Sequence, residues 1–523
     1  MKKTMKKCWA MCLLFAIAVG LFCSCDSSSN YLSVIPKDSV AAIKINIGQL
    51  LNKSEVLEMK AVKDLAELGA NQADASIESQ RLLKAILKDP NASGLNVNQP
   101  MVAVFEGLNM KGLLTFAVSD KDALINTLET LKKEFENIGV LFDFEENEKG
   151  YTSINVFDPY GSIYGNIAAF DESKLVFAIA EKNPDVVPYM ELEYEDQALS
   201  DSRFQAFVNA QKDLSIYYDL SILSEIMPLL QAQMPELNMG GYLEMMEGAT
   251  GLVSLDFQQG KAVIDYEMIN PSDELKAYYK QFVKKPSKKL LAYVPENSYL
   301  VANMGLQNLS KCFDYIPEAT TMFNEIGLKA EWLNDLNGDF TFAISQSALT
   351  DEPLLMFAAQ CEDGELINFF KKLLQQEAGL MQVAEQVYAI EGVSNKMPYY
   401  AGYKEGVMFF MPGSIYEQCV DGNKLAKLNN NFSKTSLASI LNNSGMVIDL
   451  NLASVDIKKA FEDSYMSQDD RMLLACLNSF ESLTASYEND NLEGEVVLNF
   501  NDKKNNSLKA VIQLIMNIAG SNL

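Results

Sequence analysis

Carboxylates dominate the groups that could do chemistry here: 70 Asp and Glu stand against 43 Lys and Arg, and there is no His. Arg occurs only at Arg81, Arg203 and Arg471. Without imidazole the chain lacks the commonest general base and the commonest metal ligand. With three guanidinium groups, bidentate clamps for phosphate or carboxylate are nearly excluded. Acid chemistry is what remains. Glu191, Glu193, Glu195 and Asp196 form one cluster, and Asp143, Glu145, Glu146 and Glu148 another. Either could hold calcium weakly, but a solvated acidic loop is the better reading of both. Paired carboxylates can hydrolyse glycosides, yet in so acidic a chain such pairs arise by chance. Asp335-Leu336-Asn337-Gly338-Asp339 has calcium-ligand residue types, but its Gly falls two positions early and the distal Glu spacing fails. It reads as a turn.

No G-x-S-x-G, S-x-x-K or G-x-x-x-x-G-K-[ST] occurs, so the familiar nucleophile and phosphate loops are missing. Tyr160, Tyr164, Tyr399, Tyr400 and Tyr403 could stack on sugar rings, although aromatics are also favoured in strands. Cys312, Cys361, Cys419 and Cys476 are widely spaced without a C-x-x-C, which argues against zinc and leaves their pairing open. The residues therefore assign no catalytic group, no cofactor and no metal.

The N-terminus carries a different signal. Lys2, Lys3, Lys6 and Lys7 precede an apolar run from Cys8 to Phe22, the layout of a secretory signal peptide. The run is shorter than the roughly 20 residues a membrane span needs. It ends in Phe22-Cys23-Ser24-Cys25, which resembles the lipobox of bacterial lipoproteins. That resemblance implies cleavage of residues 1–24 and diacylglycerol on the Cys25 thiol. Phe22 departs from the usual Leu, and it disfavours Cys23 as the modified residue. Ordinary signal cleavage near Ser24 is the alternative. Residues 25–30 then form a short tether. Loss of four Lys with the signal takes the net charge of −27 to −31. Such a charge argues against nucleic acid as a partner and chiefly keeps the protein soluble.

The elements that must position these residues come in two series. Val34-Ile35-Pro36-Lys37-Asp38-Ser39 leads into a strand, and Tyr293-Val294-Pro295-Glu296-Asn297-Ser298 leads into another. Ile43, Ile45 and Ile47 share one face of the first strand, as Ala302, Met304 and Leu306 do of the second; Lys44 and Asn303 take the opposite face. The order of later elements repeats as well. In the first series, strands at Met101–Phe105 and Gly112–Val118 precede a helix capped at Ser119 and ended at Gly139. Asp339–Ser345, Leu354–Gln360 and a helix through Leu366, Ile367, Phe370 and Leu374 answer them. Both series close with a hairpin and a helix, the last at Ser507–Ile518. The fold class expected is α+β: two tandem homologous halves, each an antiparallel or mixed sheet with packed helices opening on a split-βαβ-like unit. The first domain spans residues 31–283 and the second 291–523. The basic run Lys284-Lys285-Pro286-Ser287-Lys288-Lys289 marks a linker at 284–290. Ser39 and Ser298 then share one turn, a structural role that outweighs O-glycosylation at Asp38-Ser39-Val40.

A lipobox followed by VIPKDSVAAIKINIGQLL, then Lys88-Asp89-Pro90 through Gln99-Pro100 and Leu336–Ile344, resembles a Bacteroidota lipoprotein family of unknown function, domain of unknown function forty-eight thirty-six. The resemblance covers nearly the whole mature chain and implies an envelope lipoprotein, expected at the outer membrane with its face open. It lends no catalytic residues. The expectation is a non-catalytic module that meets the membrane through its lipid and binds an envelope protein, peptide or glycan. The alternatives are a hydrolase using carboxylate or Ser chemistry, and a structural spacer.

Overall fold

The computed structural model describes residues 29–520 apart from 60–61, 64–75, 108–110, 138, 158–162, 181–183, 234–243, 312–322, 347–352, 377–379, 392, 394–396, 422–423, 436–437, 439, 441–444, 453–476 and 489–490. Cys25 and the expected signal peptide lie outside the described residues, as do Cys312, Cys476 and Tyr160. The chain divides into two compact units. The first comprises Met1–Ile222, Thr250–Gln259 and Lys504–Leu523, and the second Leu223–Ala249 and Gly260–Lys503.

Unit 1 contains β1 (Ala41–Ile45), β2 (Met101–Glu106), β3 (Lys111–Ala117), β4 (Leu141–Glu146), β5 (Thr152–Phe157), β6 (Ile163–Phe170), β7 (Lys174–Ile179), β8 (Leu214–Asp219) and β9 (Thr250–Gln258). Antiparallel pairing orders them β4-β5-β6-β7-β3-β2-β1-β8-β9. Helices α1 (Ile47–Ser54), α2 (Ile77–Lys88), α3 (Lys121–Glu136) and α4 (Ser202–Asn209) start where short polar side chains accept free backbone N–H groups. Asn46, Ser76, Asp120 and Asp201 do so. The α3 cap is therefore Asp120 and not the expected Ser119, whose hydroxyl donates to the Gly94 carbonyl. Under α2 and α3 lies a core of Leu124, Leu128, Phe116, Ile154, Phe170 and Leu175. Phe135, Phe142, Phe144 and Phe170 run through it edge to face, with centroids 5.8–6.4 Å apart.

Two expectations fail here. Asp143, Glu145 and Glu146 are not a loop but sit exposed on β4, the strand ending this sheet among the described residues. Alternation with Phe142 and Phe144 was the missed signal, and acids on an end strand discourage further pairing. The split βαβ is not formed either. β1 and β2 are antiparallel neighbours in the sheet, with Ile43 opposite Ala103.

Unit 2 contains β10 (Lys261–Ile269), β11 (Val283–Lys284), β12 (Ser298–Leu306), β13 (Gly338–Gln346), β14 (Pro353–Gln360), β15 (Leu380–Ala384), β16 (Val387–Ile390), β17 (Tyr399–Lys404) and β18 (Val407–Pro412). A two-residue hairpin, β19 (Val420–Asp421) and β20 (Lys424–Leu425), precedes β21 (Met446–Asn451), β22 (Phe480–Glu488) and β23 (Glu493–Phe500). The main sheet runs β15-β16-β17-β18-β14-β13-β12-β21-β22-β23-β10, again antiparallel, with β11 beside the end of β12. Helices α5 (Asp273–Phe282), α6 (Glu365–Gln376) and α7 (Gly413–Cys419) also belong here. The last helix, α8 (Ser507–Gly520), belongs to unit 1, where it packs on α1 and β9.

One face of the unit 2 sheet buries Val301, Ala343, Met356, Ala358, Val407, Phe409 and Met411 against Leu290, Leu291, Val294 and Ile415. Residues 284–290, read from the sequence as a linker, fall within this unit. β11 pairs with β12, and the buried Asp339 carboxylate accepts from Ser287 N (2.6 Å), Ser287 Oγ (2.7 Å) and Lys289 N (3.2 Å).

Candidate functional site

The opposite face of that sheet carries a cavity. α6 supplies Ile367, Phe370 and Lys371 from one side. From the other come Phe357 of β14, Tyr388 of β16, Ala401 to Tyr403 of β17 and Met408 to Phe410 of β18. The space is about 140 Å³, close to what holds a benzene ring in an engineered protein core. Local sequence explains why it forms. Asp335 Oδ2 accepts Leu366 N at 2.9 Å and anchors the start of α6, so the stretch that looked like a calcium loop is a helix clamp. α6 then packs by Leu366 and Ile367 on Leu328 and Cys361. At the far edge, the β15–β16 turn passes so close to β17 that a Cβ on Gly402 would lie 2.6 Å from the Gln386 carbonyl oxygen. Only glycine fits that approach.

Two of the polar side chains around this cavity are engaged, and the Gln386 side chain also lines it. Tyr403 Oη donates to the Cys361 carbonyl at 3.2 Å, and Lys371 pairs with Asp363 at 3.7 Å. What faces the space is chiefly aromatic and aliphatic carbon. Burial pushes the neighbouring Cys361 thiol up to about 12, so it is no nucleophile at neutral pH. Cys419, on α7, is pushed to the same value by burial; both thiols are free. Of the tyrosines proposed for sugar stacking, Tyr403 lines the cavity, Tyr399 stacks on Phe410 and Tyr400 on Tyr416.

Paired carboxylates do occur in unit 1. Lys53 of α1 donates to Asp213 Oδ2 at 2.8 Å and to Asp256 Oδ1 at 2.5 Å. Asp213 also accepts Phe257 N at 2.6 Å, and its side chain is wholly buried. Burial raises the Asp213 carboxyl above its usual range. Burial also opposes ionisation of Asp256, but hydrogen bonds from Lys53 and Gln258 hold its carboxyl below that range. The cluster ties α1 to β9 and to the approach to β8. Nearby, Lys44 of β1 is 3% exposed and donates to the carbonyls of Phe207, Val208 and Ala210 at the end of α4, at 2.5, 2.7 and 2.6 Å. Burial lowers its pKa to about 8, which leaves an ammonium at pH 7 facing the negative end of a helix.

The acidic cluster near residue 191 is partly neutralised, since Glu191 accepts from Lys149 at 2.6 Å and Tyr151 at 3.0 Å. Ser39 Oγ donates to the Pro36 carbonyl at 2.7 Å, and Ser298 Oγ to that of Pro295 at 2.8 Å. Both hydroxyls thus close turns. Among the described residues no group of three or more Cys, Asp or Glu is arranged to hold a metal ion. The sequence pointed to none of Phe357, Tyr388 or Met408 as cavity residues. Their alternation marked strands, and which strand faces are brought under α6 depends on sheet order.

A family model described as "Domain of unknown function (DUF4836)" matches residues 31–414. No curated protein matches the chain. Among solved structures it is similar to one titled "Structure of crystal form IV of TP0453", at 10% identity over 46% of this chain and 81% of that chain. The TM-score is 0.23, too low to carry an argument.

Proposed function

This chain belongs to the DUF4836 family, and on that premise we propose that it is a non-catalytic binding protein of the bacterial cell envelope. Its ligand group is an apolar side chain of a peptide or protein, inserted under α6. The single observation behind this reading is the cavity of about 140 Å³, lined chiefly by the aromatic and aliphatic carbon of Phe357, Phe370, Tyr388, Met408 and Phe410. A glycan would want several hydroxyl and amide partners beside its aromatics, and this lining offers little beyond Gln386, so peptide fits better than sugar.

The reading includes two tandem homologous halves, and the strand registers support it. β1 lies between β2 and β8 with Lys44 opposite Val102 and Ser215. β12 lies between β13 and β21 with Asn303 opposite Thr341 and Val447. The Pro36–Ser39 and Pro295–Ser298 turns precede these strands with the same hydroxyl bond. It also includes a diacylglycerol anchor on Cys25, supported by the basic and apolar N-terminal sequence.

The second reading, a hydrolase, is favoured by one feature, the two carboxylates that share Lys53. Asp213 is fully buried and Lys53 bridges both carboxylates, so the cluster suits a structural tie better than proton transfer. A panel of glycoside, ester and peptide substrates tests the choice. The binding reading expects no turnover from the chain starting at Asp26. Turnover that disappears in Asp256→Asn, with the fold intact, would establish the hydrolase instead.

A further inference from the structure

We propose that the outward apolar face of α8 docks onto a lipid bilayer surface. The helix, Ser507-Leu-Lys-Ala-Val-Ile-Gln-Leu-Ile-Met-Asn-Ile-Ala-Gly520, carries one charge, Lys509, and no acid, in a chain whose net charge is −27. Helices apolar on all sides are normally buried. This one is not. Over residues 507–516 only Ser507 is fully buried; Val511, Ile512, Leu514 and Met516 stay partly open, and Ile515 is 57% exposed. The single cation is used locally, since Lys509 bonds Glu55 beside α1 at 2.6 Å. Gln513 is the other exposed position, so the open side of the helix carries one amide among aliphatic side chains and no acid.

The contrast with α5 makes the point sharper. Each of these helices follows the last hairpin of its series. α5 buries Leu275 and Phe282 and shows Asp273, Glu274 and Lys280 to water. It is built for solvent on its outer side, and α8 is not.

Charge selects the occupant. A second copy of the chain would bring two strongly acidic molecules together, whereas a lipid surface accepts an uncharged helix and penalises acidic ones. At about 1.5 Å per residue the helix is roughly 21 Å long, suited to lying in the interface. It is too short to span, and no helix among the described residues is long and apolar enough to cross a membrane.

The test omits the anchor, so its failure is distinct from failure of the Cys25 assignment. The chain from Asp26 to Leu523 is floated with phosphatidylcholine vesicles in a density gradient. We expect it to rise with the vesicles, Ile515→Asp and Ile515→Gln to lower the bound fraction tenfold or more, and both variants to melt as the parent does. Ile77→Asp, at an exposed apolar site on α2 (68% exposed), should float like the parent. Absence of flotation, or equal flotation of Ile515→Asp, overturns the proposal. So does equal loss in Ile77→Asp, or an Ile515→Asp variant that only converts a dimer to a monomer.

Discussion

Lys44 and Asn303 were read as facing away from the apolar face of their strands, and both turn out to be buried more deeply than the isoleucines and methionine beside them. Polar identity in a strand ordinarily signals water. Here the second face is covered too, and internal partners take the Lys44 ammonium and the Asn303 Oδ1 atom, while Asn303 Nδ2 has none. Lys44 caps a helix end, and Asn303 accepts from Thr341 Oγ1 at 2.6 Å. Lys44→Met keeps the length but strands three carbonyls, so it should cost about 2 kcal/mol of stability, read by urea unfolding. An unchanged midpoint would show that those bonds contribute nothing net. Asp449 of β21 is a weaker arrangement. It is 3% exposed, Thr484 donates to Oδ1 at 2.9 Å, and Oδ2 has no partner. Burial raises its carboxyl above the usual range, with the Thr484 bond opposing. The folded state then binds the proton more tightly than the unfolded state. Stability from this group is full below pH ~4 and is lost as pH rises through the folded-state pKa. Asp449→Asn should therefore raise Tm at pH 7 and leave it nearly unchanged at pH 4. A fall at pH 7 would mean that the ionised carboxylate has a stabilising partner.

At the scale of elements, strands with strong alternation were legible to within one residue: those expected at Met101–Phe105 and Leu354–Gln360 appear as Met101–Glu106 and Pro353–Gln360. α6 was visible from Leu366, Ile367 and Phe370 at helical spacing. β4 was missed because its acids outweighed the two phenylalanines between them, and β15 because Leu380-Met381-Gln382-Val383-Ala384 is short and lacks alternation. One edge of the cavity is formed by the β15–β16 turn and β16, through Gln386 and Tyr388, which is one reason its residues went unrecognised. Gly402 shows how tightly that turn is placed. Gly402→Ala would push its Cβ against the Gln386 oxygen, so it should destabilise by roughly 1–3 kcal/mol and open the cavity edge. Wild-type thermal stability in that variant would contradict the close approach.

At the scale of the molecule, the two series of elements were readable because each Pro–Ser turn and each closing hairpin recurs in order. The way the units are cut was not readable. β10 and α5, which end the first series, belong to unit 2, while α8, which ends the second, belongs to unit 1. Sequence order says nothing about which sheet a closing helix covers. Removal of residues 504–523 should consequently lower the protection of α1 and β9 amides in hydrogen exchange and spare β12 to β14. Loss spread evenly over both units would contradict that assignment. The anchor is tested apart from either unit: Cys25→Ala should abolish metabolic labelling with palmitate and detergent-phase partition, and retained labelling would refute it. The central claim is that the space under α6 binds an apolar group. Its most direct test is calorimetric titration of the chain from Asp26 with toluene, beside Ala401→Leu, which adds three carbons to the lining. The account predicts saturable one-site binding with Kd near ~1 mM or tighter, about −4 kcal/mol, lost in Ala401→Leu while the fold is kept. No binding by the parent chain, or equal binding by Ala401→Leu, would contradict it.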